Sequence, residues 1–198
     1  MSFDTIWLRQ RFAVGGSGQA LRNDPLLQEL TAEPTPAAVL VGIVERPHGL
    51  TLLLTERTAH LHDHPGQVAF PGGRCEVDDG TPVRTALREA EEEIGLAPDF
   101  VDVIGCLPDY RTNTGFIVTP VVALVQPGFD LKLDDFEVAA VFEPPLGFLL
   151  DPANHLRHRV EIRGRPREFY AMPWAGHYIW GVTAGMIVSL HRYLYAKD

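Results

Sequence analysis

The segment from Thr81 to Gly95 constrains this chain most, because it carries the local marks of a helix start and a helix stop. Thr81 suits an N-cap, Pro82 suits the first helical turn, and Gly95 suits the left-handed position that ends a helix. At 100° per residue, Val83, Ala86, Leu87, Ala90 and Ile94 gather on one side, as expected of a helix laid on a sheet. Glu89, Glu92 and Glu93 fall within about 100° of one another on the other side. Like charges at such spacings repel by roughly 0.2–0.5 kcal/mol per pair, so stability alone does not ask for them. The plain reading is a solvated acidic face. The sharper one is a site for a hard divalent cation, which takes oxygen ligands and removes the repulsion.

Charge distribution sharpens the choice. The 198 residues carry a net charge of −9, and between Glu76 and Asp99 eight acids stand against two bases, a local charge of −6. So acidic a chain is a poor non-specific binder of nucleic acid. Its 45% apolar content is enough for a sizeable core. Two cysteines make no disulfide framework and fit a reducing compartment. The chain has neither a membrane-length apolar run nor a secretory-type start, so a cytoplasmic location is expected, with no membrane partner.

The organisation reads as one domain with an appendage. Residues 1–34 are expected to be a helical extension and linker, with Ile6, Trp7, Leu8 and Phe12 in a short helical pattern. Residues 35–198 form the main domain. Ala38–Val44 and Leu50–Thr55 suggest a hairpin, Val101–Cys106 and Ile117–Val125 further strands, and residues 157–163 and 167–172 a second hairpin about Gly164-Arg165-Pro166. Thr183–Ala196 reads as a closing helix. Mixed strands with few helices imply an α+β domain, a mixed sheet sandwiched between helices.

Phe70-Pro71-Gly72-Gly73 precedes the acidic helix, and Gly73 followed by Arg88-Glu89-Ala90-Glu91-Glu92-Glu93-Ile94-Gly95-Leu96 closely resembles the signature of the Nudix hydrolase family. The resemblance implies a mixed sheet between helices and a loop–helix–loop that holds Mg²⁺ or Mn²⁺ to hydrolyse diphosphates linked to another moiety. It implies metal ligation by Glu89, Glu92, Glu93 and the Gly73 carbonyl. Glu89 is also a candidate general base, oriented by Arg88. From Gly73 to Arg88 the chain takes 15 steps, one more than the usual spacing, so the acidic position between them falls on Asp79 or on Gly80 according to the end counted from; Asp79 is assigned.

The preceding segment, Leu53-Leu54-Thr55-Glu56-Arg57-Thr58 through Leu61, His64 and Gly66-Gln67-Val68-Ala69-Phe70-Pro71-Gly72-Gly73, is similar to the second motif of the coenzyme A pyrophosphatase branch. So are Glu137-Val138 and Trp180-Gly181-Val182-Thr183-Ala184. The resemblance implies coenzyme A or a derivative as the small-molecule substrate, cleaved to 4′-phosphopantetheine and 3′,5′-ADP. Arg57, His64 and Gln67 become candidate substrate contacts, and Glu137 the second candidate base. A guanidinium fork suits phosphate, although a surface ion pair between Arg57 and Glu56 is the ordinary alternative. His60, His62 and His64 alternate, but zinc would need a fourth partner. Cys75 has no basic neighbour that would make it a nucleophile and reads as packing. Arg157, Arg159 and Arg163 share one side of the second hairpin, either as a charged edge or as a hold on the 3′-phosphate of coenzyme A. Competing readings are a Nudix hydrolase of ADP-ribose, a dinucleotide or a nucleoside triphosphate, and a non-catalytic nucleotide sensor. The oligomeric state stays open.

Overall fold

A computed structural model describes residues 4–14, 33–61, 65–162 and 165–196. Helix α1 (Thr5–Ala13) begins at Asp4, whose side chain accepts from the Trp7 N–H. Its Leu8 and Phe12 enter the core, and Phe12 stacks on Tyr193 with ring centroids 4.7 Å apart. The expected N-terminal helix is therefore anchored by burial of one face.

Strand β1 (Thr35–Arg46) turns at Gly49 into β2 (Gly49–Leu52), and β3 (Leu54–Arg57) follows directly. Two short strands, β4 (Val68–Ala69) and β5 (Gly72–Arg74), lead into α2 (Pro82–Ile94). Then come β6 (Val101–Cys106), β7 (Tyr110–Arg111), β8 (Phe116–Val125) and β9 (Val138–Phe142). After the single turn α3 (Leu146–Leu149), the chain forms β10 (Leu156–Ile162), β11 (Arg165–Trp174) and β12 (His177–Trp180), and ends in α4 (Gly181–Tyr195). Ile162 pairs with Arg165, so Arg165 and Pro166, expected in the turn, extend the strand instead.

The central sheet is mixed. Its order is β2-β1-β8-β6, with β1 parallel to β8 and the other pairs antiparallel; β5 also pairs with β1, and β7 with β8. Two three-stranded sheets, β4-β3-β9 and β10-β11-β12, complete it. β1 and β8 are buried on both faces, which explains their nearly unbroken apolar runs. Val41, Ile43, Val122 and Leu124 face a core shared with α1 and α4, whereas Leu40, Val44, Val121 and Val125 face Ala86, Ala90 and Ile94 of α2. This is the expected α+β sandwich. Leu87 is only half-buried and lies outside both clusters, while Thr85 is fully buried in its stead. No helix among the described residues is long and apolar enough to cross a membrane.

Candidate active site

The site is built around α2 and the strand edge it leans on. Thr81 caps the helix by accepting from the Arg84 N–H, and Gly95 closes it at φ +69°. Both ends are therefore set by local chemistry.

Arg88 is the hub. Its Nε donates to Asp79 Oδ1 at 2.9 Å and its Nη2 to Asp79 Oδ2 at 3.0 Å, a two-pronged pair. Nη1 lies 3.0 Å from Glu89 Oε1 and donates to Glu92 Oε2 at 2.9 Å, while Nη2 also reaches the Arg74 carbonyl. Asp79 is itself buried and accepts from Thr85 Oγ1 and the Glu76 N–H. The Arg88 hydrogen bonds, followed by the backbone donor, hold its carboxyl far below the usual range. The hydrogen bond to Asp79 raises Arg88 in turn. Between Gly73 and Arg88 the chain makes a short 3₁₀ turn, Val77–Asp79, closed by Gly80. That turn brings Asp79, and not Gly80, to the arginine.

Glu92 and Glu93 are neighbours with opposite fates. The Glu92 side chain is 60% exposed and lies on Arg88. Glu93 is 7% exposed, and its Oε2 accepts from the Gly72 N–H at 3.2 Å. Burial pushes Glu93 up to about 8, with Glu89 and Glu137 adding repulsion; the Gly72 N–H and the more distant Arg57 pull the other way. Glu89 is raised for the same first reason, burial, against the attraction of Arg88. The glycine turn makes this approach possible. A Cβ at Gly73 would fall on the Glu89 carboxylate, and one at Gly72, where φ is +155°, would strike the Ala38 carbonyl. The Gly72 N–H is a contact that sequence reasoning missed; its only sequence signal was the paired glycine.

Arg57 and Glu137 meet across β3 and β9, at 4.0 Å between Nη1 and Oε2. The Arg57 N–H donates to the Gln67 carbonyl at 2.9 Å, which ties Gln67, half-buried at the start of β4, to the same edge. The ordinary pairing of Arg57 with Glu56 is not formed. Glu56 instead bonds His177 Nδ1 at 3.1 Å, and His177 stacks on Phe142 with centroids 3.7 Å apart. His177 is separated from Glu56 by 121 residues, and no local pattern announces the pair. The Thr183 hydroxyl donates to the Val68 carbonyl, fixing the start of α4 beneath this edge. His62 and His64 lie outside the described residues. Arg157 and Arg159 are engaged on β11, with Tyr170 and Glu168 respectively.

Among the described residues, no three His, Cys, Asp or Glu side chains stand ready as a metal cage, and Glu92 is turned onto Arg88. The donor chemistry nevertheless fits a hard divalent cation. Glu89 and Glu93 are desolvated carboxyls that repel each other and Glu137, and the guanidinium beside Glu89 is already clasped by Asp79.

Comparison with known proteins agrees with this architecture. The family model of the NUDIX domain matches residues 34–160. The chain is 41% identical over 166 residues to the uncharacterized Nudix hydrolase NudL of Escherichia coli strain K12, covering 84% of this chain and 86% of that protein. The same identity and coverage hold for NudL of Shigella boydii serotype 18. Among solved structures, the Nudix hydrolase RenU of M. smegmatis superposes with a TM-score of 0.50 at 24% identity, covering 58% of this chain and 72% of that one. That likeness is one of fold.

Proposed function

The chain belongs to the Nudix hydrolase family, and from that premise we propose that it hydrolyses the diphosphate bond of coenzyme A or a derivative to 4′-phosphopantetheine and 3′,5′-ADP. The observation that carries the reading is the meeting of Arg57 with Glu137 beside Glu93. Two segments similar to the coenzyme A pyrophosphatase branch thereby converge on the acidic helix. Arg57 supplies a fixed cation with a fork suited to a phosphate, and Gln67 and His64 are the other residues assigned to substrate.

Glu89, Glu92 and Glu93, with the Gly73 carbonyl, would hold Mg²⁺ or Mn²⁺, whose charge there polarises phosphate oxygens and acidifies water. In this structure Glu92 lies on Arg88 through Oε2, and Arg88 also holds Asp79 and Glu89. Water adds to one phosphorus of the diphosphate, and the bridging oxygen leaves with the other phosphate. Glu89 takes the proton of the attacking water; Glu137, paired with Arg57, is the other candidate for that role. Arg88, pinned by Asp79, fixes the orientation of Glu89 and touches no reacting atom. Catalysis is then mostly positioning and electrostatics, as diphosphate cleavage demands.

The test is incubation of coenzyme A with and without Mg²⁺, with the products resolved by chromatography, beside ADP-ribose and a dinucleotide. Metal-dependent appearance of 3′,5′-ADP is expected. Turnover of ADP-ribose without turnover of coenzyme A would move the substrate within the family. Binding of nucleotide without turnover of any compound would make the chain a sensor.

A further inference from the structure

The β10-β11-β12 sheet presents a second surface, unrelated to the acidic helix. Residues opposite one another in antiparallel strands share a face. The register Leu156↔Ala171↔Trp180 and His158↔Phe169 puts these side chains on the same side, with Val160 and Tyr178 continuing it at the two ends. The rings touch in sequence: His158 stacks on Phe169, Phe169 meets Trp180 edge to face, and Trp180 adjoins Tyr178. Much of the face is open, with Leu156 44%, Tyr178 45%, and Val160 and Trp180 each 38% exposed. Such a contiguous apolar patch on a globular protein marks a contact surface.

β10 is the end strand of its sheet, so alternate backbone N–H and C=O groups along it face outward. An end strand rich in arginine ordinarily repels its like. Here the residues flanking a centre are opposite in sign. Arg157 and Glu161 stand two residues either side of Arg159, and Arg159 is already neutralised by Glu168 across β11. Glu161 makes no ion pair among the described residues. We infer that two copies of this chain associate by antiparallel pairing of β10 with β10 about a two-fold axis at Arg159. That register sets each Arg157 opposite the partner's Glu161 and each Val160 opposite the partner's His158, and it joins the two aromatic faces into one six-stranded surface. Self-complementarity selects a second copy as the occupant. The chain as a whole carries −9, so two copies repel on balance, and opposite signs matched strand to strand offset that repulsion at β10.

Sedimentation velocity of the full chain across the micromolar range tests this. A dimer is expected. Glu161→Arg and Arg157→Glu, each of which sets like charges opposite one another twice, should weaken it by roughly tenfold or more. The double variant Arg157→Glu/Glu161→Arg should restore it. Amide hydrogen exchange along β10 should speed up on dilution, a readout independent of any variant's stability. A monomer throughout, a dimer indifferent to the charge reversals, or a double variant that does not recover would each overturn the proposal.

Discussion

Arg88 on α2 and Arg159 on β10 each clasp a carboxylate, yet the two pairs organise their surroundings very differently. The Arg88–Asp79 pair is two-pronged and half-buried, and it is joined by Thr85, the Glu76 N–H and the Arg74 carbonyl. Asp79 Oδ2 and Arg88 Nη2 each have further partners, so the pair holds one geometry and passes it on to Glu89. The Arg159–Glu168 pair lies in water, with side chains 75% and 50% exposed, and is screened by solvent. The same two functional groups fix the acidic helix in one place and merely balance charge in the other. Burial makes the difference, because it removes the competing hydrogen bonds of water.

The largest effect that tests this contrast is at the acidic face itself. Glu93→Gln should lower the rate of coenzyme A hydrolysis roughly 10²-fold or more at saturating Mg²⁺ while the circular dichroism melt survives. Near-wild-type turnover would remove Glu93 from the metal set. Next comes the pH dependence of stability. Glu93 binds its proton up to about pH 8 in the folded protein, against an ordinary value of 4.5. The unfolded chain releases that proton first as pH rises. Stability of the metal-free protein should therefore be greatest below pH 4.5 as far as this group is concerned, and fall by a few kcal/mol by the time pH passes 8. Urea melts with chelator present, compared with Glu93→Gln, would show a flattened profile in the variant. If the two profiles ran parallel, burial would not be what raises Glu93.

Asp79→Asn tests whether the buried pair works through Glu89. Turnover should drop about 10- to 100-fold, with a changed pH–rate profile and little change in KM. A variant with altered KM alone would place Asp79 at the substrate instead. The smallest effect belongs to the exposed pair, where Arg159→Gln should leave turnover unchanged. A loss of activity specific to coenzyme A over its dephospho form would instead give that arginine the 3′-phosphate.

Much of the site could be read in the chain because its determinants are local. Thr81, Pro82 and Gly95 bound α2 through hydrogen bonds and backbone angles that need no distant partner. The glycine pair is visible in the chain, and the carboxylate of Glu89 lies where a Cβ at Gly73 would stand. Asp79 was ambiguous by counting alone, since a one-residue excess can fall anywhere between Gly73 and Arg88; the 3₁₀ turn that brings Asp79 onto Arg88 decided between it and Gly80. Helical periodicity could not separate Glu92 from Glu93, because both lie on one flank and differ only in which neighbour covers them. Nor could it rank Thr85 above Leu87 for burial, as Thr85 is drawn inward by Asp79.

The sequence by itself determined the acidic helix, its limits, its apolar stripe and the concentration of negative charge around it, because those follow from spacing along one chain. Tertiary structure alone decided that Glu93 is desolvated and Glu92 is not. It also decided that Arg57 meets Glu137 and not Glu56, and that His177 is the partner of Glu56. These outcomes depend on strands 80 to 121 residues apart lying at one edge. Burial and long-range pairing are properties of the packed molecule, and no window of the sequence contains both partners.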